Sequence, residues 1–248
     1  MPKFFVHSNQ IEASQIKIVG EDVKHISSVL RIKIGEEITI CNQETKLNYL
    51  AKITTINKEA VFCQITDCIK PFVESNIKIT VFQGLPKANK MEYIIQKATE
   101  LGATKIVPVA MQRSIVKLEE KTAPKKIERW QKIAETAAKQ SGRDYIPKIE
   151  QVQTISMICE KMQSNDLTLL AYENEQKTTL KEELKKFKIK PEGANVGMII
   201  GPEGGLDSKE VEILIAAGAK PVTLGKRILR TETASITMIS DIMYEYEM

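Results

Sequence analysis

The chain contains few of the residues that usually build metal or covalent-catalysis sites. Among its 248 residues are four cysteines and two histidines, and no two cysteines form a C-x-x-C pair. Zinc sites need closely spaced Cys and His ligands, so no metal centre is predicted. The same scarcity supports no Cys–His pair for nucleophilic catalysis. We expect the cysteines to be reduced thiols.

Long apolar runs and aromatic clusters are also missing. No stretch reaches the roughly 20 apolar residues of a membrane-spanning helix, and the first residues have no apolar segment of signal type. We therefore expect a cytoplasmic protein without membrane contact. Aromatic residues make up only 5% of the chain, so a sheet that stacks RNA bases on several rings is not indicated. The length favours a small domain followed by a larger one.

The positive charge is concentrated in the middle of the chain. Residues 72–150 carry 15 basic and 9 acidic side chains, whereas the whole chain has a net charge of only +4. A basic segment of this kind fits a surface that meets a polyanion, but solvated Lys-rich helices would give the same excess. Charge alone favours the solvated helices.

Residues 1–71 are predicted to form a small β-barrel domain. Short β-type runs separated by turn signals occupy 16–19, 37–41, 49–56 and 60–67. Between the first two runs, apolar residues at 26, 29 and 30 predict a short helix. Pro71 and the polar stretch after it mark a domain boundary, which leaves residues 72–248 as the second domain.

The second domain alternates β-type runs with amphipathic helices. Runs at 77–82, 105–110, 167–172, 196–200 and 221–224 are separated by helical patterns, and this order predicts an α/β fold with a mainly parallel sheet. Asn89 with Glu92, and Asp207 with Glu210, have the spacing of capping boxes at helix starts. The last helix is predicted from about Thr233 to Tyr246.

Two glycine loops follow the last two β-type runs. Gly201-Pro202-Glu203-Gly204-Gly205 matches neither G-x-G-x-x-G nor G-x-x-x-x-G-K-[ST], so neither a dinucleotide nor a triphosphate is indicated. The second loop, residues 224–230, combines a glycine with several charged and polar residues. Loops between a strand and a helix are where open α/β sheets bind ligands. Together the two loops predict a small-molecule site.

Several separate motifs, in order along the whole chain, resemble the ribosomal RNA small subunit methyltransferase E family of the SPOUT class. The segments that carry the resemblance are 25–31, 90–92, 95–97, 100–102, 129–130, 137–138, 140–143, 201–206 and 224–234. The resemblance implies an N-terminal RNA-binding domain of PUA type and a trefoil-knotted methyltransferase domain. It also implies a homodimer. Knots are rare exceptions to topological rules, and this one is implied by the family alone.

The same resemblance implies an activity and a cofactor. Members transfer a methyl group from S-adenosylmethionine to N3 of one uridine in small-subunit (16S) ribosomal RNA. The cofactor-binding positions that it implies are Ile200, Gly201, Pro202, Glu203, Gly204, Leu224, Gly225, Ile228, Leu229, Arg230 and Thr231. Glycines allow close backbone approach, while Ile228 and Leu229 either flank the adenine or pack in the core.

Arg230 and Glu232 are the candidate catalytic residues. Uracil N3 carries a proton, so methylation there requires stabilisation of the negative charge that develops as this proton leaves. A guanidinium facing O2 or O4 supplies it, which suits Arg230. Glu232 either accepts the proton or orients Arg230, or it merely caps the last helix.

Phosphate contacts are expected from basic residues near loop and helix exits. The candidates are Arg31, Lys33, Lys87, Lys90, Arg113 and Arg143. One position departs from the family pattern, because Lys139 stands where an acidic residue is expected before the Gln-Ser-Gly-Arg motif.

Two other functions remain open at this stage. A related enzyme acting on another RNA, such as tRNA, would differ mainly in its N-terminal domain. A non-catalytic RNA-binding protein with the same fold would need no cofactor loops, and so the two glycine loops favour an enzyme.

Overall fold

The computed structural model describes residues 1–70, 73–116 and 122–247. The chain divides into two compact units. Unit 1 comprises Met1–Glu74 and Ala138–Ile146, and unit 2 comprises Ser75–Ala137 and Pro147–Met248. The predicted boundary between residues 71 and 72 lies outside the described residues and stays a prediction.

Unit 1 is built on a mixed sheet that forms a half-barrel. Among the described residues, its six strands are β1 (Lys3–Val6), β2 (Ile11–Glu12), β3 (Gln15–Val19), β4 (Glu37–Asn42), β5 (Asn48–Ile56) and β6 (Ala60–Ile69), in the order β1-β4-β5-β6-β3-β2. β1 pairs with β4 in parallel, and the other pairs are antiparallel. Alternate residues such as Ile16 and Ile18 enter a core that also contains Phe4, Ile40 and Ile53.

The predicted helix near residue 26 exists, but its exposed side differs from the prediction. α1 (Glu21–Lys24) continues into a π-helical turn, His25–Val29, in which the N–H of Leu30 donates to the carbonyl of His25. This wider turn changes the angular spacing of side chains from that of an α-helix. Ile26 is therefore fully buried, whereas Val29 is 68% exposed and Leu30 is 41% exposed.

Residues 138–146 complete unit 1 through buried polar contacts. The ammonium of Lys3 and the amide of Asn48 both bind the carboxylate of Asp144. The guanidinium of Arg143 binds Glu74, which also accepts the backbone N–H of Asp144 at 2.9 Å. Lys3, Asn48, Arg143 and Asp144 are all buried, so these contacts hold the segment against the sheet.

Unit 2 has a parallel sheet, as predicted from the alternating pattern. Within the described residues, its strands are β7 (Ile77–Gly84), β8 (Ala103–Val109), β9 (Lys148–Ile149), β10 (Leu167–Ala171), β11 (Ala194–Ile200) and β12 (Lys220–Val222). Their order is β12-β10-β11-β7-β8-β9, and every pair is parallel. All six carboxyl ends therefore lie at the same edge.

Helices alternate with these strands along the chain. They are α2 (Lys90–Glu100), α3 (Ala123–Gln140), α4 (Ile155–Met162), α5 (Leu180–Lys186), α6 (Ser208–Ala216) and α7 (Thr231–Glu247). α4 and α6 contribute Ile158 and Leu214 to a core cluster with Phe82 of β7 and Ile199 of β11. α7 packs against α2 and against β7 and β11, although the strand before it, β12, lies at the sheet edge.

One of the two predicted capping boxes is present. Asp207 and Glu210 form the reciprocal bonds of a capping box at the start of α6. The box predicted for α2 is wrong, because Asn89 has φ −90° and ψ 12° and its side chain caps nothing. Glu92 instead binds Arg129 of α3 at 2.8 Å.

Candidate active site

The two glycine loops of unit 2 line one cavity at the carboxyl edge of its sheet. The first loop, residues 201–205, follows β11, and the second loop, residues 224–230, comes after β12. The cavity has a volume of about 560 Å³, within the usual range for small-molecule sites. Every predicted cofactor-binding position lies on its wall, namely Ile200, Gly201, Pro202, Glu203, Gly204, Leu224, Gly225, Ile228, Leu229, Arg230 and Thr231.

Several wall residues were not predicted from the sequence. Tyr172 and Glu173 follow β10 directly, and Thr223 precedes the second loop. β10 lies between β11 and β12, so its carboxyl end faces the same cavity. The rule that ligands bind at this edge of a parallel sheet could have identified Tyr172 and Glu173 once the strand order was known.

A buried chain of hydrogen bonds ties the start of α7 to the first loop. The hydroxyl of Thr231 donates to the carbonyl of Gly201 at 2.7 Å. The side-chain amide of Gln83, which is fully buried at the end of β7, donates to the same hydroxyl at 2.9 Å. The hydroxyl of Ser235 in turn donates to the side-chain oxygen Oε1 of Gln83 at 2.5 Å. Both loops are therefore anchored to one strand end.

Gly84, the last residue of β7, lets the first loop lie directly on the sheet. A Cβ at this position would be 2.7 Å from both the ring and the backbone nitrogen of Pro202, and 2.8 Å from the sulfur of Met111. These separations are too short for non-bonded atoms. Glycine is required here by close packing rather than by backbone conformation.

The second loop presents an apolar side chain to solvent. Ile228 is 89% exposed, so the alternative that it packs in the core does not apply. Leu229 beside it is half-buried, and Gly225 has φ +121° with open space around it. The loop thus keeps an uncovered apolar surface at the cavity, where a planar aromatic ligand could pack.

The two candidate catalytic residues lie on either side of Thr231, the first residue of α7. Arg230 is exposed and lines the cavity. Glu232, in the first turn of α7, has a side chain that is only 16% exposed and lies 3.1 Å from the ammonium of Lys90. Arg230 therefore lies on the cavity wall, whereas the Glu232 carboxylate is paired with Lys90.

Lys90 does not have the open setting expected of a phosphate ligand. Its ammonium lies 3.1 Å from Glu203 of the first loop and 3.1 Å from Glu232. The contacts with Glu232 and then with Glu203 raise the pKa of Lys90 above its usual value. Burial alone would raise the pKa of Glu203, but backbone hydrogen bonds and Lys90 outweigh it, and that pKa is lowered.

The other predicted RNA contacts are divided between the units. Arg31 and Lys33 are exposed in unit 1, where Arg31 has φ +54° as the chain leaves the π-helical turn. Lys87 is exposed in unit 2. Arg113 lies beside the first loop, where its guanidinium donates to the carbonyl of Gly204 at 3.3 Å.

The phosphate contact predicted for Arg143 does not fit its place in the structure. Its side chain is only 6% exposed and binds Glu74, with N–O distances of 2.5 and 3.1 Å. A guanidinium held this way inside unit 1 has no open face for a phosphate. The sequence motif placed Arg143 at a helix exit correctly, but it carried no information on Glu74, which lies 69 residues away.

Clusters of metal-ligand side chains and long apolar helices are both absent from the described part of the chain. No group of three or more Cys, His, Asp or Glu side chains in it is arranged to hold a metal ion. None of its helices is both long and apolar enough to cross a membrane.

Comparison with known proteins places the chain among RNA methyltransferases. A family model described as an RNA methyltransferase domain matches residues 73–243, and an RNA methyltransferase PUA domain matches residues 18–66. Ribosomal RNA small subunit methyltransferase E of Bacillus subtilis is 38% identical over the whole chain and 98% of that protein. The chain belongs to the ribosomal RNA small subunit methyltransferase E family. The expected PUA-like domain and parallel-sheet methyltransferase domain are confirmed.

Solved structures of similar proteins agree with this family assignment. Ribosomal RNA small subunit methyltransferase E of Neisseria gonorrhoeae, solved with S-adenosylmethionine, has a TM-score of 0.84 and 29% identity, with 99% of this chain and 98% of that chain covered. A Legionella pneumophila protein, also solved with this cofactor, has a TM-score of 0.85 and 30% identity, with 98% and 96% covered. The chain is therefore an RNA methyltransferase rather than a non-catalytic RNA-binding protein.

Proposed function

We propose that this enzyme transfers the methyl group of S-adenosylmethionine to N3 of a uridine in small-subunit (16S) ribosomal RNA. The observation that carries the proposal is the single cavity lined by both glycine loops, with Arg230 on its wall. Family membership favours ribosomal RNA over tRNA, because the relatives are named for small-subunit ribosomal RNA.

The residues around the cavity fit this cofactor. Glycines 201, 204, 205 and 225 leave the loop backbones accessible, and Ile228 and Leu229 provide apolar surface for an adenine. Glu173 and Glu203 place carboxylates on the wall, which suits a cofactor with a cationic sulfonium. The cofactor supplies an electrophilic methyl group on that sulfur.

The protein's part in the chemistry is to remove the N3 proton and to align the base. Arg230 faces O2 or O4 and stabilises the negative charge that develops on the uracil. Glu232 accepts the proton that leaves N3 while the new N3–methyl bond forms and the sulfur–methyl bond breaks. The uridine must be unpaired or flipped, because base pairing covers N3.

RNA is held by basic residues of both domains. Residues 1–71 form the RNA-binding domain, in which Arg31 and Lys33 are exposed, and residues 72–248 form the methyltransferase domain, in which Lys87 and Arg113 contact phosphates near the first loop. The enzyme acts in the cytoplasm as a homodimer. Its last helix is threaded through a trefoil knot, which is consistent with the return of the chain from the edge strand β12 to α7 on β7 and β11.

The test is methyl transfer from labelled S-adenosylmethionine to small ribosomal subunits that lack their modification. We expect label in 3-methyluridine with the wild type, and a loss of about 100-fold or more in kcat for Arg230→Ala with an unchanged melting temperature, as for removal of an oxyanion-stabilising donor. Cofactor binding without transfer would show that the substrate is wrong. An Arg230→Ala variant with wild-type kcat would disprove the role of Arg230.

A further inference from the structure

Lys90 joins the two loops that line the cavity. One of its carboxylate partners, Glu203, lies within the first loop, and the other, Glu232, lies two residues after the second loop ends. The side chains of Lys90, Glu203 and Glu232 are 32%, 24% and 16% exposed, so the contacts are partly protected from solvent. A single ammonium thus bridges two segments that are 29 residues apart in sequence.

Lys90 occupies a helix position that disfavours a positive charge. It is the first residue of α2, and the positive end of a helix dipole disfavours cations. Glu203 and Glu232 offset this cost. The backbone N–H of Lys87 adds to the arrangement, since it donates to both carboxylate oxygens of Glu203 at 3.0 and 3.2 Å. The start of α2 is therefore organised around the first loop.

We propose that Lys90 is a positioning residue that holds the two loops in their cofactor-binding arrangement by bridging Glu203 and Glu232. The inference rests on the proposed function, because it takes the cavity to be the S-adenosylmethionine site. The role replaces the phosphate contact expected from the sequence. Lys90 is charged at neutral pH like any lysine, and its two carboxylate partners raise its pKa further.

Calorimetric titration of S-adenosylmethionine into the RNA-free protein tests the bridge without reference to activity. Lys90→Met should weaken cofactor binding about tenfold, the order expected from losing one charge-assisted contact. Lys90→Arg, which keeps the charge and the reach, should bind within about threefold of the wild type. RNA affinity measured without cofactor should be the same for Lys90→Met and the wild type.

A mutant cycle that compares Lys90→Met in the wild type and in a variant lacking both carboxylates shows whether Lys90 acts through Glu203 and Glu232. In a Glu203→Gln/Glu232→Gln background, adding Lys90→Met should weaken cofactor binding by less than about twofold, because the bridge is already lost. Lys97→Met is the matched control, since Lys97 lies on the same helix and pairs with Glu100 at 2.8 Å away from the cavity wall. It should bind cofactor like the wild type.

Three results would overturn the bridge. Wild-type cofactor affinity in Lys90→Met would show that the loops need no tether. Equal weakening by Lys90→Met in both backgrounds would show a contact independent of the carboxylates. A loss of RNA affinity in Lys90→Met, matching that of Lys87→Met, would restore the phosphate role. Failure of the wild type to bind cofactor would instead refute the proposed function itself.

Discussion

At the scale of single residues, charge partners decide what each basic side chain does. Lys139 stands where the family pattern has an acidic residue, and its ammonium binds both oxygens of Asp22 at 2.8 and 3.0 Å. Both side chains are only 14% exposed. The departure therefore has a structural explanation within unit 1, and it concerns stability rather than acid–base chemistry.

Reversing one charge of this pair should destabilise unit 1. Lys139→Glu places a second carboxylate beside Asp22, and we expect the free energy of unfolding to fall by about 2 kcal/mol, between the values for exposed and buried pairs. Urea unfolding measures the change. The double variant Asp22→Lys/Lys139→Glu should recover most of the loss, and no recovery would mean that the pairing is unimportant.

The location of the candidate site was largely predictable from the sequence, whereas the carboxylate partners of individual Lys and Arg side chains were not. The two glycine loops after β11 and β12 followed from local pattern, and the individual cofactor-binding positions were implied by the family resemblance. Lys90 and Arg143 were expected to be free for phosphates, yet each pairs with a carboxylate distant in sequence, Lys90 with Glu232 and Arg143 with Glu74. Partners at such distances are set by tertiary packing.

At the scale of elements, the first loop depends on the end of β7. The missing side chain at Gly84 is what allows Pro202 to lie against the strand. The preceding residue, Gln83, then fixes the start of α7 through Thr231 and Ser235. Two consecutive residues of one strand thus support both loops of the cavity.

A methyl group at Gly84 should therefore impair cofactor binding. Gly84→Ala forces Pro202 and the first loop away from the strand, with an overpacking cost of about 1–3 kcal/mol and a loss of cofactor affinity of about tenfold or more. Calorimetry and thermal melting measure the two effects.

Gly218→Ala is the control for this substitution. Gly218 has φ +103° with no neighbour near its missing Cβ, so alanine there should cost about 1 kcal/mol through backbone strain alone. Its cofactor affinity should be that of the wild type. Equal affinities for both alanine variants would contradict the support assigned to Gly84.

Helix and strand positions followed from periodicity and capping, but two local details did not. The π-helical turn at His25–Val29 exposes Val29, because hydrogen bonding over five residues is not encoded in the apolar spacing. Asn89 was expected to cap α2, yet Glu92 binds Arg129 instead. In both places a longer-range contact or a rarer turn replaced the commoner local motif.

At the scale of the whole molecule, the stability of unit 1 should depend on pH through Asp144. Burial by itself raises the pKa of Asp144, but the bonds from Lys3 and Asn48 outweigh it and lower that pKa below the usual 3.8. A lowered carboxyl pKa stabilises the fold above the unfolded value, and this stabilisation is lost as the pH falls through the folded value.

Asp144→Asn should consequently be most harmful at neutral pH. Removing one member of a buried ion pair costs about 3–5 kcal/mol, and the difference from the wild type should shrink below about pH 4. Urea midpoints at several pH values measure it. Asp67→Asn, an exposed change on β6, should alter stability by less than about 0.5 kcal/mol. A pH-independent effect of Asp144→Asn would contradict this assignment.

The proposed homodimer has a direct hydrodynamic test. The chain of 27.9 kDa should sediment at about twice that mass, and the tyrosine that is 70% exposed on α7, Tyr244, is a candidate contact. Tyr244→Glu should shift the equilibrium towards the monomer at low concentration. Sedimentation of the wild type as a monomer at all concentrations would rule out the dimer.

The ion pair between Lys3 and Asp144 also sets an order of folding events during synthesis. These residues are 141 positions apart, so the N-terminal half-barrel emerges from the ribosome long before its last buried contacts exist. Until residues 138–146 follow, Lys3 and Asn48 lack the carboxylate that they bind in the finished chain. Unit 1 therefore reaches its native state only after more than half of the chain has been translated.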